Sequence, residues 1–348
     1  MRFAVCCFWG GCASISATVF RRLLDPRSTF REESLKQVGE STVENAALQW
    51  FGELGYTLAH GPDLAPGEPA AERDGFGDVV LVGRLREAIH RLNPVIPEDA
   101  REDALRKVLR VAMPSLLQTN RAFHRLLRDG VPVEYPRADG SIAGDHVRLV
   151  EFDEVPANDW RVVNQFTVIE GQHNRRPDIV VFLNGLPLAV IELKNAADEE
   201  ATIWGAYAQL QTYKAQIPTL LQYGAVLVVS DGLQARVGSL TANQEWFKVW
   251  RTIDGQRDAA PGSLELETLI RGVFERQRFL DLLHHFIVFE EDPDSGALHK
   301  IIAGYHQFRA VRKARASVLA SLKAPSGQGD GRGGVVWHTQ GSASRSPC

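Results

Sequence analysis

The chain has 348 residues, 44% of them hydrophobic, and a formal net charge of −4. That length suits about two domains with real cores, and the slight acidity excludes a global attraction to nucleic acid, so any such binding has to come from local basic patches. The four cysteines are Cys6, Cys7, Cys12 and Cys348; none lies between Cys12 and Cys348, which excludes a disulfide framework and points to a reducing compartment, read here as the cytoplasm.

In chain order, residues 3–20 are uncharged and mostly apolar, with Arg21-Arg22 behind them. This is the pattern of a secretory signal or a membrane anchor, and its three cysteines raise a metal site that no His or second Cys pair supports. The reading adopted is that 1–40 form an extraneous or disordered extension with no membrane role. STVENAALQWFGELGY predicts a helix over 41–56: Ser41 is an N-cap, Glu44 stands at capping-box spacing, and Ala47, Leu48, Phe51 and Leu54 recur at helical intervals. A Pro-, Gly- and charge-rich loop covers 65–78. Amphipathic helices follow over 79–92 and 98–112, separated by the prolines of NPVIP, and a third over 114–128. HVRLVEF, WRVVNQFTVI, DIVVFLNG and LAVIELKN are β-branched runs that predict a small sheet over 146–195. A helix over 198–215, strands over 225–232 and 235–240, and helices over 264–283 and 298–322 complete the pattern. APSGQGDGRGG is flexible by composition, and VVW at 335–337 begins a strand. The expected class is α/β, a mixed sheet flanked by helices with an N-terminal helical lobe over 41–130.

The chemistry concentrates in PDIVVFLNGLPLAVIELKN, 177–195. DIVVFL is apolar on both faces, as a buried strand requires, with Asp178 at its end. Glu192 and Lys194 are two apart and project from one face, with Leu193 pointing into the core between them. Paired carboxylates at a buried edge need compensation, which a divalent cation such as Mg²⁺ provides, and a neighbouring lysine can orient a water or neutralise charge developing on phosphorus. A two-residue Asn184-Gly185 turn pairs Leu183 with Leu186. Counting outward, Asp178 then meets Ile191, and the two carboxylates lie on opposite faces. They converge only if the connection is odd-numbered or bulged, for which Gly185 is suited. A salt bridge at a sheet edge is the plain alternative for any lone Asp followed by ExK.

Pro177-Asp178 and Glu192-Leu193-Lys194 match the PD-(D/E)xK nuclease signature, and RRPDIVVFLNGLPLAVIELKN resembles the nuclease segment of the restriction (R) subunit of type I restriction-modification enzymes. Gln209 and Tyr213 fit the QxxxY motif of RecB-like nucleases, four apart on one helical face. FIVFEEDPDSGALHKIIAGYHQFRAVRKA (286–314) resembles the passage from nuclease to motor, and GGVVWHTQGS (333–342) the approach to a Walker A motif. The resemblance covers roughly 41–342. It implies a restriction-endonuclease-like nuclease domain over 41–260, a helical linker over 261–323 and a truncated start of an ATPase motor over 324–348. It implies that Asp178, Glu192 and the main-chain carbonyl of Leu193 hold Mg²⁺, that Lys194 assists the attacking water, and that Gln209 and Tyr213 support the site or contact the DNA backbone. Glu44 is a possible fourth acid, with helix capping as its alternative. Within Tyr305-His306-Gln307, Gln307 matches the place where such motors contact adenine.

The family pattern continues with Gly-Ser-Gly-Lys-Ser, whereas this chain reads Gly341-Ser342-Ala343-Ser344-Arg345-Ser346-Pro347-Cys348. Without the lysine and glycines that cradle phosphate, no ATPase activity is expected, and ATP belongs to the intact family only. The implied partners are DNA and the methylase and specificity subunits. His173–Arg176 and Arg309–Arg315 are candidate phosphate contacts, with solvated surface as their alternative. The competing readings are a non-catalytic remnant that docks on those subunits, and a stand-alone RecB-like repair nuclease.

Overall fold

The structure, a computed structural model, describes residues 40–137, 139–194 and 202–323. The N-terminal extension up to 39, the VVW strand at 335–337 and the Walker-like tail lie outside the described residues.

Three strands whose every residue is buried form the centre: β7 (Ile179–Leu183), β8 (Leu186–Leu193) and β9 (Val226–Ser230). They sit in a six-stranded mixed sheet with β1 (Thr57–His60), β4 (Trp160–Asn164) and β10 (Ala235–Gly238), in the order β1-β4-β7-β8-β9-β10. β1 runs parallel to β4 and β8 parallel to β9; the other pairings are antiparallel. The β8-to-β9 crossover carries α5 (Ile203–Gln216) and the short α6 (Pro218–Leu221), as a parallel connection requires. Earlier helices are α1 (Glu40–Glu53), α2 (Val82–Leu92), α3 (Glu98–Leu109) and α4 (Leu116–Asp129). Later ones are α7 (Glu265–Val273), α8 (Arg276–His285) and α9 (Tyr305–Lys323). α5 packs on β8 and β9; α1 lies against β1, β4, β8 and α7. A single apolar cluster runs from Ala47 on α1 to Phe308 on α9. The α/β class and the helix-flanked mixed sheet are as expected.

Several expected elements take a different form. HVRLVEF contributes only His146 and Val147 to a strand; they end β3 (Ile142–Val147), which pairs with β2 (Val131–Pro136) in a separate hairpin. WRVVNQFTVI breaks at Gln165, whose φ of 55° no strand accepts. Its remainder forms β5 (Val168–Glu170) against β6 (His173–Arg175). The helix expected over 264–283 splits because Glu275 caps a second one, its carboxylate accepting from the N–H groups of Gln277 and Arg278. The helix expected over 298–322 starts only at Tyr305; Leu298–Ile302 is β12, paired with β11 (Ile287–Glu291). Ser41 lies inside α1, and the Glu44 carboxylate is taken by side chains of another element.

Candidate active site

Asn184 and Gly185 have φ of 52° and 79°, the paired left-handed conformations of a two-residue type I′ turn. The turn is locked. Asn184 is fully buried, accepts from Asp159 N at 2.7 Å and donates to Leu149 O and Asn158 Oδ1, each at 2.9 Å. A Cβ on Gly185 would meet Leu81 O at 2.5 Å. Leu183 pairs with Leu186 and Phe182 with Pro187, but Val181 pairs with Ala189, leaving Leu188 as the extra residue of a bulge. Pro187 has no N–H for a regular ladder, which suits an irregularity there. Beyond the bulge Ile179 pairs with Ile191, so the next position sets Asp178 opposite Glu192. The bulge required for convergence is therefore present, at Leu188 rather than at Gly185.

Both carboxylates are buried, Asp178 8% and Glu192 3% exposed. Asp178 Oδ2 accepts from Leu193 N at 2.7 Å. Glu192 Oε1 lies 3.2 Å from Lys194 Nζ, and Oε2 accepts from the Tyr213 hydroxyl at 3.0 Å. Lys194 has its backbone N–H fixed on Ser230 O at 2.8 Å while its side chain stays 29% exposed. On α5, Gly205, Gln209 and Tyr213 share one face at four-residue spacing. A Cβ on Gly205 would come 3.9 Å from Lys194 Cγ, and Gln209 reaches the Tyr213 hydroxyl. Gly205 thus lies over the stem of the lysine at ordinary contact distance.

Burial pushes the Glu192 carboxyl up to about 8, the Asp178 charge adds to this, and Lys194 and Tyr213 pull it back. Burial likewise raises the Tyr213 hydroxyl well above its ordinary range, with the Glu192 charge reinforcing it. Two carboxylates sharing one dry place with a lysine at the rim form a donor set that a divalent cation fits: it would relieve the repulsion that now favours a proton on Glu192. Leu193, whose carbonyl is the further candidate ligand, ends β8 directly after Glu192 and donates its N–H to Asp178.

Asp178, Glu192, Lys194, Gln209 and Tyr213 are thus brought together. Glu44 stands at the same end of the sheet: its carboxylate accepts from Asn164 Nδ2 at 2.6 Å and Gln165 Nε2 at 2.5 Å, and Gln165 N donates to Asp178 O at 2.8 Å. These two carboxamides were not singled out in the sequence, because their position depends on the left-handed turn at Gln165. Gln307 lies apart. Its Oε1 accepts from Gly304 N at 2.9 Å, closing the first turn of α9, while Tyr305 lines a cavity of about 460 Å³ between the 237–250 segment and the β11–β12 hairpin. Among the basic clusters, Arg175 Nε donates to Gln216 Oε1 at 2.6 Å, and Arg309 and Arg312 pair with Asp258 and Asp281 at 3.7 and 2.9 Å.

A family model described as the type I restriction enzyme R protein N terminus matches residues 37–246. The chain is 38% identical over 308 residues to the type I restriction enzyme HindI endonuclease subunit of Haemophilus influenzae, covering 88% of this chain and 29% of that protein. It is 31% identical over 331 residues to the putative type I restriction enzyme MjaIXP endonuclease subunit of Methanocaldococcus jannaschii, covering 90% of this chain and 31% of that protein. The chain therefore spans under a third of the length of these two relatives. No helix among the described residues is long and apolar enough to cross a membrane.

Proposed function

The chain belongs to the family of type I restriction enzyme R protein N termini, and from that premise we propose that its site hydrolyses DNA phosphodiesters with a divalent cation, Mg²⁺. The observation that carries this reading is the Leu188 bulge, which sets Asp178 opposite Glu192, the carboxylate that Lys194 meets from two residues along the same chain. A salt bridge alone would need one acid and no bulge.

Asp178, Glu192 and the Leu193 carbonyl are the residues that would hold the ion. When bound, the ion supplies the positive charge that acidifies a water and offsets charge on the scissile phosphate. The Lys194 ammonium, partly open to solvent, orients the attacking water or faces the developing negative charge. Tyr213 holds one oxygen of Glu192, and Gln209 holds Tyr213, so the carboxylate keeps one orientation. Nothing in this arrangement reads a base, which suits cleavage directed by methylase and specificity subunits.

A supercoiled-plasmid nicking assay tests the reading, run with Mg²⁺, with and without ATP and the partner subunits. Asp178→Ala, Glu192→Ala and Lys194→Ala should each lower nicking by roughly 100-fold or more without loss of fold, and Gln209→Ala by less. Nicking that survives Asp178→Ala, or that proceeds equally well in a chelator, would overturn it.

A further inference from the structure

At the end of the sheet that carries Asp178, α1, β1 and β4 meet in one polar knot. Glu44 on α1 is 8% exposed, and its two oxygens accept from Asn164 Nδ2 at 2.6 Å and from Gln165 Nε2 at 2.5 Å. His60, the last residue of β1, has Nδ1 3.1 Å from Asn164 Oδ1. Gly61, next along, runs so close to the bend after β4 that a Cβ there would meet Gln165 O at 2.4 Å and Asn164 O at 2.8 Å. Gln165 itself has a φ of 55°, a left-handed conformation that a side chain makes costly and that persists only where the surroundings hold it.

The knot bears on Asp178 through one hydrogen bond. Gln165 N donates to Asp178 O at 2.8 Å. Asn164 pairs with Ile179, so this bond is the next one outward on the β4 side of β7. Pro177, further out, has no N–H with which to add another. On the β8 side, Asp178 Oδ2 accepts from Leu193 N at 2.7 Å. Asp178 is thus fixed through its main chain by the bend after β4 and through its side chain by β8. Strand ends open first where their last bonds are weak, and here an opened end would move one of the two paired carboxylates.

We propose that Glu44 and Gln165 are positioning residues: the Glu44 carboxylate clamps the left-handed bend at Gln165, and the bend keeps Asp178 in register with Glu192 to hold a divalent cation. This rests on the nuclease reading and deepens it, because side chains outside the ligand set then decide how well the two acids bind. Hydrogen-bond partners that orient a ligating carboxylate typically matter to metal affinity in this way.

The test is calorimetric titration of the full chain with Mn²⁺, without DNA, with Asp178→Ala marking the heat that belongs to the site. Gln165→Ala and Glu44→Gln should each weaken the Asp178-dependent binding by roughly 10- to 100-fold. Exchanging the two groups, Glu44→Gln together with Gln165→Glu, keeps the net charge and nearly the volume while reversing donor and acceptor. It should recover most of the affinity, the mark of residues that act as a pair. Circular dichroism checks the fold of each variant, and if Gln165→Ala does not fold, Glu44→Gln against the exchange decides alone. A merely structural role would lower the melting temperature and leave the affinity of the folded protein unchanged; that result overturns the proposal. So does binding lost in Glu44→Gln, kept in Gln165→Ala and not recovered by the exchange, which would make Glu44 a direct ligand. The two readings separate: a wild type without Asp178-dependent binding overturns the metal site and the positioning with it, whereas Asp178-dependent binding that ignores Gln165 overturns the positioning alone.

Discussion

Glu192 shows how one carboxylate is held in a task rather than in a simple ion pair. One oxygen meets an ammonium, the other a phenol that is itself buried, and Asp178 sits across the ladder. A lone surface pair would contribute about 0–1 kcal/mol and would not tolerate a second acid. His124 on α4 is another titratable side chain set far from its ordinary behaviour. It is 4% exposed, its Nε2 has no hydrogen-bond partner, and burial, with Lys300 nearby, pushes it down to about 3. The unfolded chain takes up this proton below about pH 6.5, the folded chain only near 3. Stability from this group is therefore lost as pH falls from about 6.5 towards 3, by up to about 1.4 kcal/mol per pH unit. His124→Leu should remove that slope. In urea titrations at about pH 7 and about pH 5, wild type should lose roughly 2 kcal/mol more than the variant; parallel losses would show that His124 is solvated in the native state.

At the scale of elements, the β11–β12 hairpin is pinned by one polar cluster. Lys300 on β12 is 2% exposed and donates to Asn120 Oδ1 at 2.8 Å and Gly224 O at 2.7 Å. Asn120 Nδ2 faces the carbonyls of Leu221, Gln222 and Gly224. Asn120→Ala leaves Lys300 Nζ with Gly224 O alone of its two acceptors, takes the amide from the carbonyls of Leu221, Gln222 and Gly224, and should cost about 3 kcal/mol. Adding Lys300→Met should cost less in that background than in wild type, and strict additivity in urea unfolding would mean the two do not act together. This hairpin was invisible in the sequence because FIVFEEDPDSG carries charges at helical as well as strand spacing, and its docking depends on a lysine, a residue type that seldom goes inside. β1 was equally hidden: three of its four residues are exposed, leaving no alternation to read. The β7–β8 hairpin was legible because apolar runs flank Asn-Gly, and the need for a bulge followed from parity alone. Its position did not, since Gly185 offered the freer backbone while Pro187 offered the missing donor.

Across the whole molecule, the residues after 260 are built into the body that carries the site. Phe51 on α1 packs its ring 5.2 Å from both Tyr56 and Phe274, and the Tyr56 hydroxyl donates to Phe274 O at 2.9 Å. Leu266, Leu269, Ile270, Phe279 and Leu280 are fully buried in the same cluster as the sheet. Arg271 bridges to Glu53 on α1 and Glu267 on its own helix. A fragment ending at 260 should therefore expose the α1 face, bind a hydrophobic dye and unfold without a cooperative transition, whereas a chain ending at 323 should melt as one unit. A fragment that melts sharply with native circular dichroism would show that α7 and α8 are appended rather than integral.

The single extra residue in β8 makes the meeting of the two carboxylates a matter of phase. Every residue from Leu186 to Leu193 is buried, so both sides of the strand are oily and neither is marked as inward. Flattening the bulge so that Leu188 pairs with Val181 would set Asp178 opposite Ile191 and turn Glu192 to the far side of the sheet without offering water a new apolar surface. Relatives could drift into silence by this route, keeping the acids and the lysine and a sound fold while the two carboxylates no longer meet. An intact motif read along the chain therefore does not certify a working enzyme; the register of the two strands that carry it does.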